Sequence, residues 1–158
     1  DRSPAVSSFG ADDQHSLVRS GLTADMECVE IGTVETPYGT TAEIPRQGFQ
    51  ENAPGVVVLD EAYAPGLVGF DPDDHVVVVW AAHEADRSVI EFPERDGGRG
   101  VFTTRSPARP NPIGLSHCVV TGVGGPRLRV RGVDMLSGSP VLDLKPPLGG
   151  REDWDPPA

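Results

Sequence analysis

Between Gly100 and Ser116 the chain reads Gly-Val-Phe-Thr-Thr-Arg-Ser-Pro-Ala-Arg-Pro-Asn-Pro-Ile-Gly-Leu-Ser, a loop carrying two arginines, an asparagine and three prolines. Guanidinium and carboxamide groups together suit a ligand that presents a carboxylate, a phosphate or the polar edge of a heterocycle. Pro107, Pro110 and Pro112 fix their own φ and push Ser106, Arg109 and Asn111 out of the helical region. Arg105, Arg109 and Asn111 therefore ride on a stiff segment, which has little freedom left to lose on gripping a polar molecule. The plain alternative is a surface turn that carries arginines incidentally. A second group lies downstream, where Asp134, Asp143 and Lys145 combine carboxylates with a cation. Asp143 and Lys145 are two apart, so a strand turns both to one face. There they can form a structural ion pair. His83 and Glu84 follow an apolar run; a histidine in that setting is a satisfied core residue or, with the acid beside it, part of a ligand site.

Short strands joined by turns must position these groups. Gly 19 and Pro 16, with valine-rich runs and little helical periodicity, favour strands. Strands are expected at 28–36, 56–60, 75–82, 88–92, 101–103, 117–123, 127–133 and 141–144. The run His75-Val-Val-Val-Val-Trp80 reads as a strand buried on both faces. In Arg127-Leu-Arg-Val-Arg131 the period of two turns three arginines to one side and the apolar residues to the other. Gly124-Gly125-Pro126 is a hairpin signal, and the one modest helix candidate, Glu61–Leu67, is cut by Pro65. Many short strands at close spacing point to a closed or sandwiched all-β architecture. Residues 1–25 lack periodicity and read as a disordered leader, with Met26 as a candidate start; 26–148 form one domain and 149–158 a tail.

The string Thr-Arg-Ser-Pro-x-Arg-Pro-Asn-Pro-Ile-Gly-Leu-Ser from Thr104 resembles the signature of the TrmO (TsaA-like) family of tRNA methyltransferases that use S-adenosylmethionine. Ile31-Gly-Thr-Val34 with Thr36-Pro-Tyr38 is similar to that family's opening strand, and Ile44-Pro-Arg-Gln47 to its first cofactor loop. Asp134 with Ser137-Gly-Ser-Pro-Val-Leu-Asp-Leu-Lys-Pro146 resembles its closing block, with Ser139 where Thr is usual and Pro147 where an aromatic usually follows. The C-terminal extension of many bacterial members is, on this resemblance, not expected here. The resemblance implies a single mainly-β barrel domain with short helices or turns, and S-adenosyl-L-methionine as cofactor. It places cofactor contacts at Pro45, Arg46, Gln47, His83, Glu84, Arg105, Leu115, Asp134, Met135, Leu136 and Ser137. It further implies tRNA as partner through its anticodon loop, methylation at N6 of N6-threonylcarbamoyladenosine 37, and a homodimer with the cofactor beside the interface. That nitrogen is a poor nucleophile until its proton leaves, so a base is required. Asp143, assisted by Lys145, and Asp134 are the candidates, while Arg109 and Asn111 would hold the RNA.

Composition limits these readings. A chain of 158 residues supports one domain with a single core. No apolar run approaches the ~20 residues of a membrane span and no apolar leader is present, so a cytoplasmic protein without membrane or DNA partners is expected. Cys28 and Cys118 have no zinc-type spacing and read as reduced structural thiols with no metal. The net charge of −11 opposes RNA binding. It is unevenly spread: residues 1–86 hold three Arg against sixteen acids, net −13, whereas residues 87–145 hold eight Arg and one Lys against five acids, net +4. Twelve Arg to one Lys in an acidic chain suits a halophilic protein, for which distant charge is screened within ~3 Å at 1 M salt. Without Gly-x-Gly-x-x-Gly, a Rossmann methyltransferase is disfavoured. Three other readings remain: a non-catalytic RNA-binding barrel, a small-molecule methyltransferase, and a hydrolase using Ser106 or Ser116 with His117 and Asp143. No Gly-x-Ser-x-Gly elbow frames either serine.

Overall fold

The computed structural model describes residues 26–45 and 51–148. Residues 1–25 and 149–158, expected above as leader and tail, lie outside the described residues, as do Arg46 and Gln47. By contact pattern the chain divides into Asp1–Glu30 and Ile31–Ala158, and every element below belongs to the second unit. The strands are β1 (Gly32–Glu35), β2 (Pro54–Leu59), β3 (His75–Ala81), β4 (Glu91–Phe92), β5 (Arg99–Gly100), β6 (Ile113–Gly124), β7 (Arg127–Arg131) and β8 (Ser139–Lys145). Six of them close an antiparallel barrel in the order β1-β2-β7-β6-β3-β8, with β8 pairing back to β1. Strands β4 and β5 form a separate small hairpin. No described helix is long and apolar enough to cross a membrane.

Alternation sets the interior. Val34, Val57, Val76, Val78, Cys118, Val120, Leu128, Val130 and Val141 are buried in one core cluster with Trp80. On β7, Leu128 and Val130 are 0% and 1% exposed while Arg127 and Arg129 are exposed. Each buried aliphatic side chain is worth about 1.5–3 kcal/mol, so a one-residue slip that put arginines inside is forbidden. The Arg-x-Arg-x-Arg pattern thus faces outward, as its period requires.

Several expectations change in detail. Residues 101–103 form a 3-10 turn rather than a strand, because Thr103 and Thr104 hydroxyls donate to the Gly100 and Val101 carbonyls and satisfy the backbone locally. Only Glu91 and Phe92 of 88–92 join a ladder. Strand β6 starts four residues before the expected 117, so Ile113–Ser116 of the proline loop are already strand. The outer face of β3 is not wholly covered, since Val79 is half-buried while Val76 and Val78 are 0% exposed. Glu61–Leu67 is a short 3-10 helix containing Pro65. Gly125 and Pro126 turn the hairpin between β6 and β7, with Gly125 at φ +58°, a conformation glycine adopts without a Cβ clash.

Candidate active site

A cleft of about 540 Å³ opens where β3 ends, β6 begins and the chain leaves β7. Its walls include Ile44, Pro45, Trp80, Arg95, Arg99, Thr103–Pro107, Gly114 and Asp134. A smaller recess of about 230 Å³ shares Trp80, Thr104, Arg105, Gly114 and Asp134 and adds Arg109, Ile113, Leu115 and Ser116.

At the centre lies a buried relay. The Trp80 indole N–H donates to Ser116 Oγ at 2.8 Å, and the Ser116 hydroxyl donates to Asp134 Oδ1. Ser116 is 3% exposed and Trp80 9%, so the indole–hydroxyl bond forms where water cannot substitute, while the half-buried Asp134 carboxylate meets the cleft. Two features seat the indole. Trp80 stands opposite Gly114 in the β3–β6 register, and a Cβ on Gly114 would lie 2.2 Å from Trp80 Cε2. Any other residue at 114 displaces the ring. The loop from Asp134 is pinned in turn: Thr36 donates to the Met135 carbonyl at 2.8 Å and the Thr36 N–H to Ser137 Oγ at 3.1 Å. The Ser137 N–H reaches the Tyr38 carbonyl at 2.9 Å. Tyr38 is fixed by its hydroxyl donating to Glu51 at 3.0 Å; burial, then that carboxylate, raises its pKa.

The proline loop is stiffened by more than its prolines. Arg109 folds back and donates to the carbonyls of Thr104 at 3.0 Å and Ser106 at 2.9 Å, while Arg87 holds the Pro110 carbonyl at 2.9 Å. Thr104 and Ser106 hydroxyls accept the N–H of Ser106 and Ala108. Arg105 donates to the Leu115 carbonyl from the cleft wall. Across from it, Arg95 lies over the Phe92 ring at 4.0 Å, and Arg99 is held by Asp96 at 3.5 Å and Thr103 at 3.3 Å.

The structure brings Pro45, Arg105, Leu115 and Asp134 together around the cleft and recess. Met135 is fully buried in the core, so it offers its backbone rather than its side chain. The Leu136 carbonyl accepts the Ser139 hydroxyl at 2.6 Å. His83 and Glu84 are exposed, pair at 3.6 Å, and line neither cavity. Asn111 is exposed and its carbonyl closes a tight turn to Ile113 at 2.7 Å. Asp143 and Lys145 form an ion pair at 3.0 Å opposite Val79 and Val77, on the outer wall and outside both cavities. Ser116 points inward and its neighbour His117 outward, so the hydrolase constellation does not assemble; His117 meets His75 instead, nitrogen to nitrogen at 2.5 Å. Trp80, Gly114, Arg95 and Arg99 carry no site role in the sequence reading, and Ser116 enters it only as a candidate nucleophile. The available signal was a tryptophan ending an apolar strand, whose N–H needs a partner.

An arginine-rimmed cleft on a closed antiparallel barrel defines a barrel-type ligand-binding protein rather than a doubly wound nucleotide fold. Residues 33–149 match the family described as the tRNA-methyltransferase O N-terminal domain, and the chain belongs to that TrmO family. It is 51% identical to a probable S-adenosyl-L-methionine-binding protein of Halobacterium salinarum, over 78% of this chain and 99% of that one. It is 41% identical to an S-adenosyl-L-methionine-binding protein of Archaeoglobus fulgidus, over 73% and 84%. A tRNA (adenine(37)-N6)-methyltransferase of Mus musculus is 38% identical over 58% of this chain and 22% of its own length. The crystal structure of TrmO from Pseudomonas aeruginosa superposes with TM-score 0.67 at 31% identity, covering 81% of this chain and 57% of that chain. This chain therefore spans a little over half of that enzyme.

Proposed function

We propose that this protein is an S-adenosylmethionine-dependent tRNA methyltransferase acting on N6 of N6-threonylcarbamoyladenosine at position 37. The observation that carries it is the Trp80–Ser116–Asp134 relay, whose Trp80 and Asp134 line the same cleft of about 540 Å³ as Arg105, a volume within the range of ligand pockets. The residues fit the cofactor's parts. Arg105 and Arg99 offer guanidinium groups to a carboxylate, and Ile44, Pro45 and Leu115 cover an aromatic face. When bound, the cofactor supplies a methyl group already activated on sulfonium. What the protein adds is placement and removal of a proton.

We assign the proton acceptor to Asp134, because the relay fixes its carboxylate at the junction of cleft and recess. Asp143 is instead paired with the Lys145 ammonium at 3.0 Å and lines neither cavity. In this reading Lys145 meets the substrate's threonyl carboxylate and Asp143 positions Lys145. Arg109 shapes the loop, leaving Asn111 to face the RNA. Exposed Ile113 and Leu115 at the recess, with exposed Phe102 next in sequence to the cleft residue Thr103, support a homodimer in which a second copy covers them.

Comparison of two variants tests the assignment. Asp134→Asn is expected to lower turnover by ~100-fold or more, whereas Asp143→Asn raises KM for tRNA with a smaller effect on kcat. The reverse ranking would return the base to Asp143.

A further inference from the structure

From the outer face of β7 we infer that Arg127, Arg129 and Arg131 form a phosphate-binding ladder that carries the RNA strand away from the cleft. The inference rests on the functional reading above and adds a surface to it. The three guanidinium groups leave one face of a single strand, spaced about 6.7 Å apart and spanning about 13 Å, a repeat comparable to the phosphate repeat of an extended polynucleotide. Their cross-strand neighbours are Pro54, Val56 and Val58 on β2 and Val119, Gly122 and Gly124 on β6. None of these is a carboxylate. Cations on a sheet are ordinarily balanced by opposite charges across the strand, and this chain has 24 acids against 13 cations from which to draw them. It places one there: Glu35 approaches Arg127 at 3.9 Å, a loose, exposed pair. Arg131 donates to the Asn52 carboxamide at 3.0 Å, a neutral partner that orients it without cancelling its charge. For Arg129 the described residues supply no ion pair, and the glycine beside it at 122 leaves its side chain a low floor.

Position gives the ladder its role. Strand β7 runs toward the cleft, and Arg131 precedes Asp134 by three residues. A nucleotide whose base enters the cleft thus has its flanking phosphates delivered onto this strand. Both glycines and the outward valines keep the surface flat enough for a backbone to lie along it, and phosphate contacts fix register without reading sequence.

The test measures affinity for an unmodified tRNA transcript against salt, over the range in which circular dichroism shows the protein folded. Arg129→Gln, and the triple variant Arg127→Gln, Arg129→Gln and Arg131→Gln, are compared with wild type. The slope of log affinity on log salt is expected to become shallower by about 0.7–0.9 for each arginine lost. Cofactor affinity by calorimetry is expected to stay unchanged. Glu35→Gln, which releases Arg127, is expected to tighten binding, an outcome no structural role for the arginines produces. Should the triple variant fail to fold, Arg129→Gln and Glu35→Gln carry the test alone. Unchanged slopes with intact wild-type binding overturn the ladder and spare the methyltransferase reading. Altered oligomeric state with unchanged RNA affinity makes the face a protein contact and overturns it too. A wild type that binds no tRNA removes both.

Discussion

Replacing Ser116 by Ala tests the relay that organises the site. The substitution removes one oxygen from a position 3% exposed and with it two hydrogen bonds, from the Trp80 N–H at 2.8 Å and to the Asp134 carboxylate. A buried indole N–H left without an acceptor costs about 1–3 kcal/mol, and the bond to a charged group contributes about 1.5–3 kcal/mol. The two losses share one hydroxyl, so they do not add fully; about 2–4 kcal/mol is expected. In a chain of this size that lowers Tm by roughly 6–12 °C. Trp80→Phe removes the same N–H from the other side. A double-mutant cycle of thermal unfolding should therefore show Ser116→Ala and Trp80→Phe together costing less than their sum, by about 0.5–3 kcal/mol. Calorimetry with S-adenosylhomocysteine should show weaker binding in Ser116→Ala, since Asp134 is no longer held. A Tm within 2 °C of wild type, or strict additivity in the cycle, would falsify the relay.

Gly114→Ala should be worse than a surface change, because its Cβ would lie 2.2 Å from Trp80 Cε2; overpacking of this kind costs about 1–3 kcal/mol, and full retention of Tm and cofactor binding would contradict the register. Cys118 should resist alkylation in the native state, its thiol pushed far up by burial and then by Asp134, while the partly exposed Cys28 reacts; native mass spectrometry after iodoacetamide reads this, and equal labelling of both would count against it. Glu43 is held below its ordinary pKa by the Thr40 and then the Gly39 backbone N–H groups. A depressed folded value means a contribution present above the unfolded pKa and lost as pH falls through the folded one. Glu43→Gln should therefore flatten the acid limb of the Tm profile and leave neutral behaviour nearly unchanged; an identical acid limb would exclude the cap.

Sequence and structure agree most closely where periodicity decides the answer. Leu128 and Val130 between arginines left no choice of face, and Gly125-Pro126 no choice of turn. The barrel's closure was legible only as a class, because pairing β8 to β1 depends on contacts between distant parts of the chain. The same reason hid the relay: Ser116 gains its meaning from lying across β6 from Trp80, and Gly114 from yielding space to an indole 34 positions upstream. Proximity in sequence also misled. His83 and Glu84 sit beside the end of β3 yet turn to solvent, and Arg109, the most conspicuous residue of the proline loop, spends hydrogen bonds on its own loop. Arg105 and Asp134 were legible as chemistry, while their convergence was a matter of topology.

Whether this barrel transfers a methyl group to tRNA is measured directly by labelled transfer. Purified protein is incubated with N6-threonylcarbamoyladenosine-containing tRNA and methyl-labelled S-adenosylmethionine, and the digested nucleosides are separated by mass spectrometry. Label is expected on the N6-threonylcarbamoyladenosine nucleoside, reduced by ~100-fold or more with Asp134→Asn. Binding of cofactor and of tRNA with no label in any nucleoside would contradict it and leave a non-catalytic barrel.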